Sequence, residues 1–93
     1  MIRTDSNNET AEADTALALS ALTWTLGEET RAGRFLALTG LTAGDLRSRI
    51  DDPTVLAALI RFLEALERDL IACAEEIGAT PEALVAVRRR LEA

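Results

Sequence analysis

Leucines, alanines and a few larger apolar residues recur three and four positions apart through most of this chain, the spacing of one face of an α-helix. The first nine residues, MIRTDSNNE, carry no such period and read as a disordered tail before a single helical domain over residues 10–93. A first helix is expected from Thr10. Leu19, Leu22 and Leu26 share one face of it, with Ala18 and Ala21 beside them and Trp24 as its one large aromatic. Gly27 stops it. A second helix is expected from about Glu28 to Thr39. Glu28 and Glu29 favour its positive N-terminus, and Ala32, Phe35, Leu36 and Leu38 supply its apolar side.

The stretch RFLALTGLTAGDLRSRI, from Arg34 to Ile50, then spells a helix-turn-helix in backbone chemistry. Gly40 suits the left-handed residue that closes a helix, which lets Leu41 fold back on Leu36. Thr42 is a strong N-cap for a third helix. Asp45, three residues on, completes a shortened capping box, and Leu41 with Leu46 forms a hydrophobic staple. This short helix ends near Ile50. At Asp51-Asp52-Pro53 the chain breaks and restarts, with Asp52 as N-cap and Pro53 at the first helical position.

Residues 53–77 could form one continuous helix of about 37 Å at 1.5 Å per residue. A compact domain of this size spans only about 26 Å, twice a radius of gyration of ~13 Å. On such a helix Val55, Leu56, Leu59, Ile60, Phe62, Leu63, Leu66, Leu70, Ile71, Ala74 and Ile77 fill one broad half. Glu67 falls inside that half, where a carboxylate would be buried without an evident partner. A break near Leu66 removes the conflict by placing Glu67 and Asp69 in the first turn of a new helix. Gly78 then ends that helix, and Thr80 with Pro81 opens the last one, whose stripe is Ala83, Leu84, Val87 and Leu91. TGLTAGDL and IGATPEAL share one grammar, 38 residues apart: glycine, small apolar residue, threonine cap, then leucine at the fourth helical position. Tight helix corners require that grammar, so the echo supports a compact bundle with short connections.

Composition narrows the class. The 93 residues suffice for one domain, and 48% hydrophobic content excludes a disordered chain. The net charge is −6, and residues 51–80 alone carry a local −5. Such a field repels nucleic acid and anionic membrane. The lone cysteine, Cys73, has no intrachain partner, so a reducing compartment, the cytoplasm, is expected. No secretory leader or transmembrane run is visible, since Arg61 and Glu64 interrupt the richest apolar stretch.

Catalytic chemistry is poorly supplied. Without His or Tyr, acid–base work would fall to carboxylates or to Cys73, which sits between alanines and reads as a small buried hydrophobe. No spacing suggests a zinc, calcium or phosphate site, so no metal or cofactor is expected. As a DNA reader, the first corner would present Ala43, Gly44, Asp45, Arg47 and Ser48, of which only Arg47 and Ser48 suit bases or phosphates. The second would present Pro81, Glu82, Ala83, Val85 and Ala86. Arg88, Arg89 and Arg90 lie too late in their helix for base readout. Protein binding is better provided for. Val85 stands off its helix's stripe, and Trp24 and Phe35 with neighbouring leucines either fill the core or line a groove or dimer seam.

At FLALTGLTAGDLR the chain resembles a family of small, mainly alphaproteobacterial proteins, the domain-of-unknown-function family 3572. The resemblance runs from about Ala16 to Leu91. It takes in ALTWTLGEETRAGRFLALTGL, the pair Leu46-Arg47, PTVLAALIRFL with Phe62, the acidic Glu67 and the PEAL restart at Pro81. In that family an acidic pair precedes the next helix; here Leu66 stands in the first acid's place. The resemblance implies an all-helical fold without an established activity and carries over no catalytic or ligand residues.

The expectation is therefore an all-α, compact bundle of four to six short helices with helix-turn-helix-like corners. Gly40, Thr42, Asp45, Asp52, Pro53, Gly78, Thr80 and Pro81 are its structural caps. The expected function is a non-enzymatic protein-interaction or adaptor module, acting on an unidentified protein partner or by self-association. Trp24, Arg47, Glu67 and Val85 are its candidate interaction residues, with the acidic 64–76 face. The alternative is a helix-turn-helix DNA-binding regulator.

Overall fold

In the computed structural model, which describes residues 3–93 and their side chains from Glu9 onward, the chain forms six α-helices. They are α1 (Arg3–Leu26), α2 (Glu29–Thr39), α3 (Ala43–Ser48), α4 (Pro53–Glu64), α5 (Glu67–Ile77) and α6 (Pro81–Glu92). No strand occurs among the described residues.

The caps hold each helix where local chemistry puts it. Glu28 takes backbone N–H bonds from Thr30 and Arg31 with its carboxylate, so it caps α2 from outside rather than starting it. Gly40 is left-handed (φ 74°) and donates to the Leu36 carbonyl at 2.8 Å. Thr42 and Asp45 form a reciprocal capping box at the start of α3. Asp52 caps α4, with Pro53 at its first position, and Thr80 caps α6, with Pro81 at its first position. Gly78 is also left-handed (φ 75°). It closes a double motif in which Ala79 donates back to Ala74 at 2.8 Å. The two corners share their grammar, while the hydrogen bonds that end their first helices differ.

The helix break near Leu66 is present. α4 stops at Glu64, and Leu66, extended at φ −133°, starts α5 without any side-chain cap. Glu67 stands exposed in the first turn of α5. Val55, Leu56, Ala57, Leu59, Ile60 and Leu63 of α4 are buried, and α1, α2, α5 and α6 all pack against that helix. Phe35 completes the core, edge-on to Phe62 at 5.4 Å between ring centres.

Several expectations need correction. Helical structure reaches back to Arg3, so residues 3–9 do not form an irregular tail; Met1 and Ile2 lie outside the described residues. The radius of gyration is 13.2 Å, yet the long axis is 47 Å, because α1 alone runs 24 residues and projects from the globule. The length of a continuous 53–77 helix therefore did not forbid it; burial of Glu67 is the stronger reason for the break. On α1 the buried face is Asp14, Ala18, Ala21, Leu22 and Thr25, which leaves Leu26 38% exposed at the edge. Leu38 is 75% exposed, since it points about 160° away from Leu36 on the helical wheel. Ile71 is likewise outward, and α3 ends at Ser48, earlier than Ile50.

Two glycines test this backbone reading with opposite signs. Gly33 lies inside α2, exposed, with nothing within 4 Å of where a Cβ would stand. Gly33→Ala is expected to stabilise the fold by about 0.5–1 kcal/mol, because a helix interior favours Ala. Gly40→Ala is expected to cost about 1–2 kcal/mol, because a Cβ is strained at positive φ. Urea unfolding midpoints at unchanged slope measure both.

Candidate interaction surface

Arginine–carboxylate pairs decide which charges stay on the surface. Arg88 of α6 grips Glu64 at the end of α4 with two bonds, Nε to Oε2 at 2.8 Å and NH2 to Oε1 at 3.1 Å. Its third nitrogen reaches Glu92 at 3.0 Å. Glu92 in turn accepts two bonds from Arg61 of α4, at 2.6 and 2.9 Å. These four residues brace α4 against α6. Arg90 makes a similar two-bond contact, 2.7 and 2.9 Å, with Asp14, tying α6 to α1 across 76 residues. Arg34 reaches Asp69 at 3.1 Å, and Arg49 pairs with Asp52.

The brace shows in its acid–base properties. Hydrogen bonds donated to Glu64, then to Glu92, hold the Arg88 guanidinium more firmly protonated than usual. Hydrogen bonds from Arg61, and then Arg88, pull the Glu92 carboxyl down from the ordinary 4.5 to about 2. Burial pushes the Cys73 thiol up to about 11. That thiol is enclosed in the core, so the structure gives it no access to a substrate.

The residues singled out from the sequence do not converge. Trp24 is half-buried, with the Arg31 guanidinium 3.6 Å from its ring centre; that same group donates to the Trp24 and Thr25 carbonyls. Val85 packs on the core and does not stand off its stripe, a correction that follows from α6 being sandwiched against α4, α1 and α5. Arg47 is exposed at the end of α3, and neighbouring Ser48 spends its hydroxyl on the Gly44 and Asp45 carbonyls.

Glu67 does join a continuous surface. Along α5, Glu67, Ile71 and Glu75 are exposed at successive turns, flanked by Arg68 and Glu76. Ile71 is 41% exposed at the centre of this ridge. Among the described residues, Glu67, Glu75 and Glu76 have no ion-pair partner, whereas Glu64 and Asp69 in the same stretch are both paired. The sequence marked the acidic stretch but could not sort it, because the arginines that neutralise part of it lie 24 and 35 residues away. A groove of about 400 Å3 lies between α4 and α6, lined by Thr54, Ala57, Ala58, Leu91 and the Arg61–Glu92 pair. Both its charged groups are occupied with each other. No group of three or more His, Cys, Asp and Glu suited to a metal occurs among the described residues, and no described helix is long and apolar enough to cross a membrane.

Fold and surface together define a small all-helical domain braced by arginine–carboxylate pairs. The chain belongs to the family described as "Protein of unknown function (DUF3572)", whose profile matches residues 10–93. No curated protein and no solved structure matches it.

The Glu92 shift yields a pH prediction. A carboxyl depressed on folding stabilises the native state fully above its unfolded value, and that stability is lost as pH falls through the folded value. For Glu92 the window runs from about 4.5 down to about 2. Glu92→Gln is therefore expected to lower the melting temperature at neutral pH. The gap to the parent protein should close as pH falls through that window, followed by circular dichroism.

Proposed function

We propose that this domain is a non-enzymatic protein-interaction module that docks a basic, amphipathic segment of a partner protein on the outward face of α5. The observation that carries this reading is the ridge itself: exposed Ile71 set among the unpaired carboxylates of Glu67, Glu75 and Glu76. An apolar side chain with a carboxylate one turn to either side, Glu67 and Glu75, and only Arg68 as a neighbouring cation suits a partner with an apolar anchor and basic neighbours. Charge then supplies steering and selectivity, and the anchor supplies affinity. The absence of His and Tyr, the enclosed Cys73 and the exposure of Glu67 support a non-enzymatic role. A cytoplasmic setting suits the free thiol.

The alternative, a helix-turn-helix DNA-binding regulator, draws less support. Among arginines with described side chains, only Arg47, Arg68 and Arg89 lack a carboxylate partner, and Arg68 lies on the acidic ridge. A six-residue α3 offers Arg47 alone for contact with bases or phosphates.

The test is affinity capture from the native cells with the parent protein and with a Glu67→Lys, Ile71→Ser, Glu75→Lys variant. The expected result is a basic partner retained at low salt by the parent and lost in the variant. Equal capture by both would overturn the α5 reading. Salt-sensitive binding to a pool of labelled DNA, abolished by Arg47→Ala with Arg89→Ala, would favour the alternative.

A further inference from the structure

α3 is held to the molecule differently from the other five helices. α1, α2, α4, α5 and α6 each pack against at least two neighbours, and α3 packs comparably against none. It has only six residues. Of residues 40–52 only Leu46 is buried, and Leu41 is half-buried against the core. Ala43, Gly44, Arg47, Ser48, Arg49 and Ile50 are all exposed.

The polar contacts point the same way. Side chains tie α6 to α4 and to α1, and α2 to α1 and to α5. Residues 42–51 have no such tie among the described residues. Thr42 and Asp45 cap each other, Ser48 bonds the Gly44 and Asp45 carbonyls, and Arg49 pairs with Asp52. Detaching this segment therefore breaks no hydrogen bond or ion pair to the rest of the molecule. Its boundaries hold without it. Gly40 closes α2 by donating to the Leu36 carbonyl, and the Asp52 carboxylate caps α4 by accepting from the Thr54 N–H. Phe35 against Phe62, and Arg34 on Asp69, keep α2 in place.

We infer that residues 40–52 form a strap that opens as one local unit while the five larger helices stay folded. A helix of six residues does not persist off the body, because nucleation is costly, so α3 unwinds as the strap leaves. Opening brings Leu41 and Leu46 out to join Leu38 and Ile50, which are already 75% and 46% exposed. The strap thus gates apolar surface: the closed domain shows two of these four side chains and the open one shows all four. This inference does not rest on the α5 reading.

Hydrogen exchange of the full chain, followed amide by amide by NMR in urea below the unfolding transition, tests it. The Leu46 and Arg49 amides donate to the Thr42 and Asp45 carbonyls. Relative to their intrinsic rates, they are expected to exchange about a hundredfold or more faster than the slowest α4 amides. Their exchange should depend little on urea, because opening the strap exposes little surface. Val87→Ala, in the core on α6, is expected to speed the slowest α4 amides and leave the α3 amides unchanged, because the closed and open strap share one folded body. In Leu46→Cys, the introduced thiol is expected to react with a maleimide about tenfold or more faster than the enclosed Cys73 of the same molecule. Circular dichroism checks the fold of each variant. Equal protection and urea dependence in α3 and α4, a Val87→Ala effect of the same size on both, or equal rates for the two thiols would overturn the inference.

Discussion

Val55, Leu56, Leu59, Ile60 and Leu63 put α4 at the centre of the molecule, with α1, α2, α5 and α6 packed around it. Burying such a helix is the main source of stability available to so short a chain, at about 1.5–3 kcal/mol for each large apolar side chain. The same burial dictates where α4 must stop. Continued in register, the helix would carry Glu67 into the apolar half, where desolvation of a carboxylate opposes folding. Ending at Glu64 and restarting at Glu67 turns that liability round. The acid then sits exposed beside the positive N-terminus of α5, which it favours electrostatically. Leu66 stands at the N-cap position, and α5 accordingly begins with no side-chain cap.

The break also exposes the end of α4 to α6, and arginine is the residue that uses it. Arg88 forms a two-bond fork with Glu64 and still has a nitrogen left for Glu92, which Arg61 grips from the other side. A lysine, with its compact ammonium, could not hold two carboxylates in fixed planes in this way. Every cross-helix pair in this set involves Arg, and the chain contains all its positive charge as Arg. The consequence is a division among the acids. Glu64, Glu92, Asp14 and Asp69 are spent on internal braces, while Glu67, Glu75 and Glu76 keep their charge facing solvent. On α5 this leaves three unpaired carboxylates beside one unpaired arginine, Arg68.

Legibility in the sequence followed the range of the interaction. Gly40, Thr42 with Asp45, Asp52 with Pro53, Gly78 and Thr80 with Pro81 act within three or four residues of themselves, and each sits where its local pattern places it. The break at Leu66 was also readable, because one charged position contradicted an otherwise apolar face. Which side of a short helix faces inward was read less well. Leu26 and Leu38 fitted an apolar stripe by spacing, yet α1 buries Asp14 and Thr25 instead. Thr25 is tolerated there because its hydroxyl bonds the Ala21 carbonyl at 2.8 Å, and Asp14 because Arg90 reaches it from the far end of the chain. Only the second compensation lacks a signature in the neighbouring residues; the first is a local bond across one helical turn. The candidate surface was legible to the same degree: Glu67 and its acidic stretch were marked, but the sorting of paired from unpaired acids needed contacts across 24 to 76 residues.

Asp14 also explains the shape of α1. Among the residues whose side chains are described it is the first buried one of that helix, since Glu9 to Ala13 are all exposed, and the family match begins at residue 10, one turn earlier. An isolated helix of a dozen residues is marginal in water because nucleation is costly. The projecting turns of α1 do not face that cost alone. The turn through Asp14, Ala18 and Ala21 is fixed by the core and by Arg90, so each residue added toward Arg3 extends an existing helix at the price of its own ordering only.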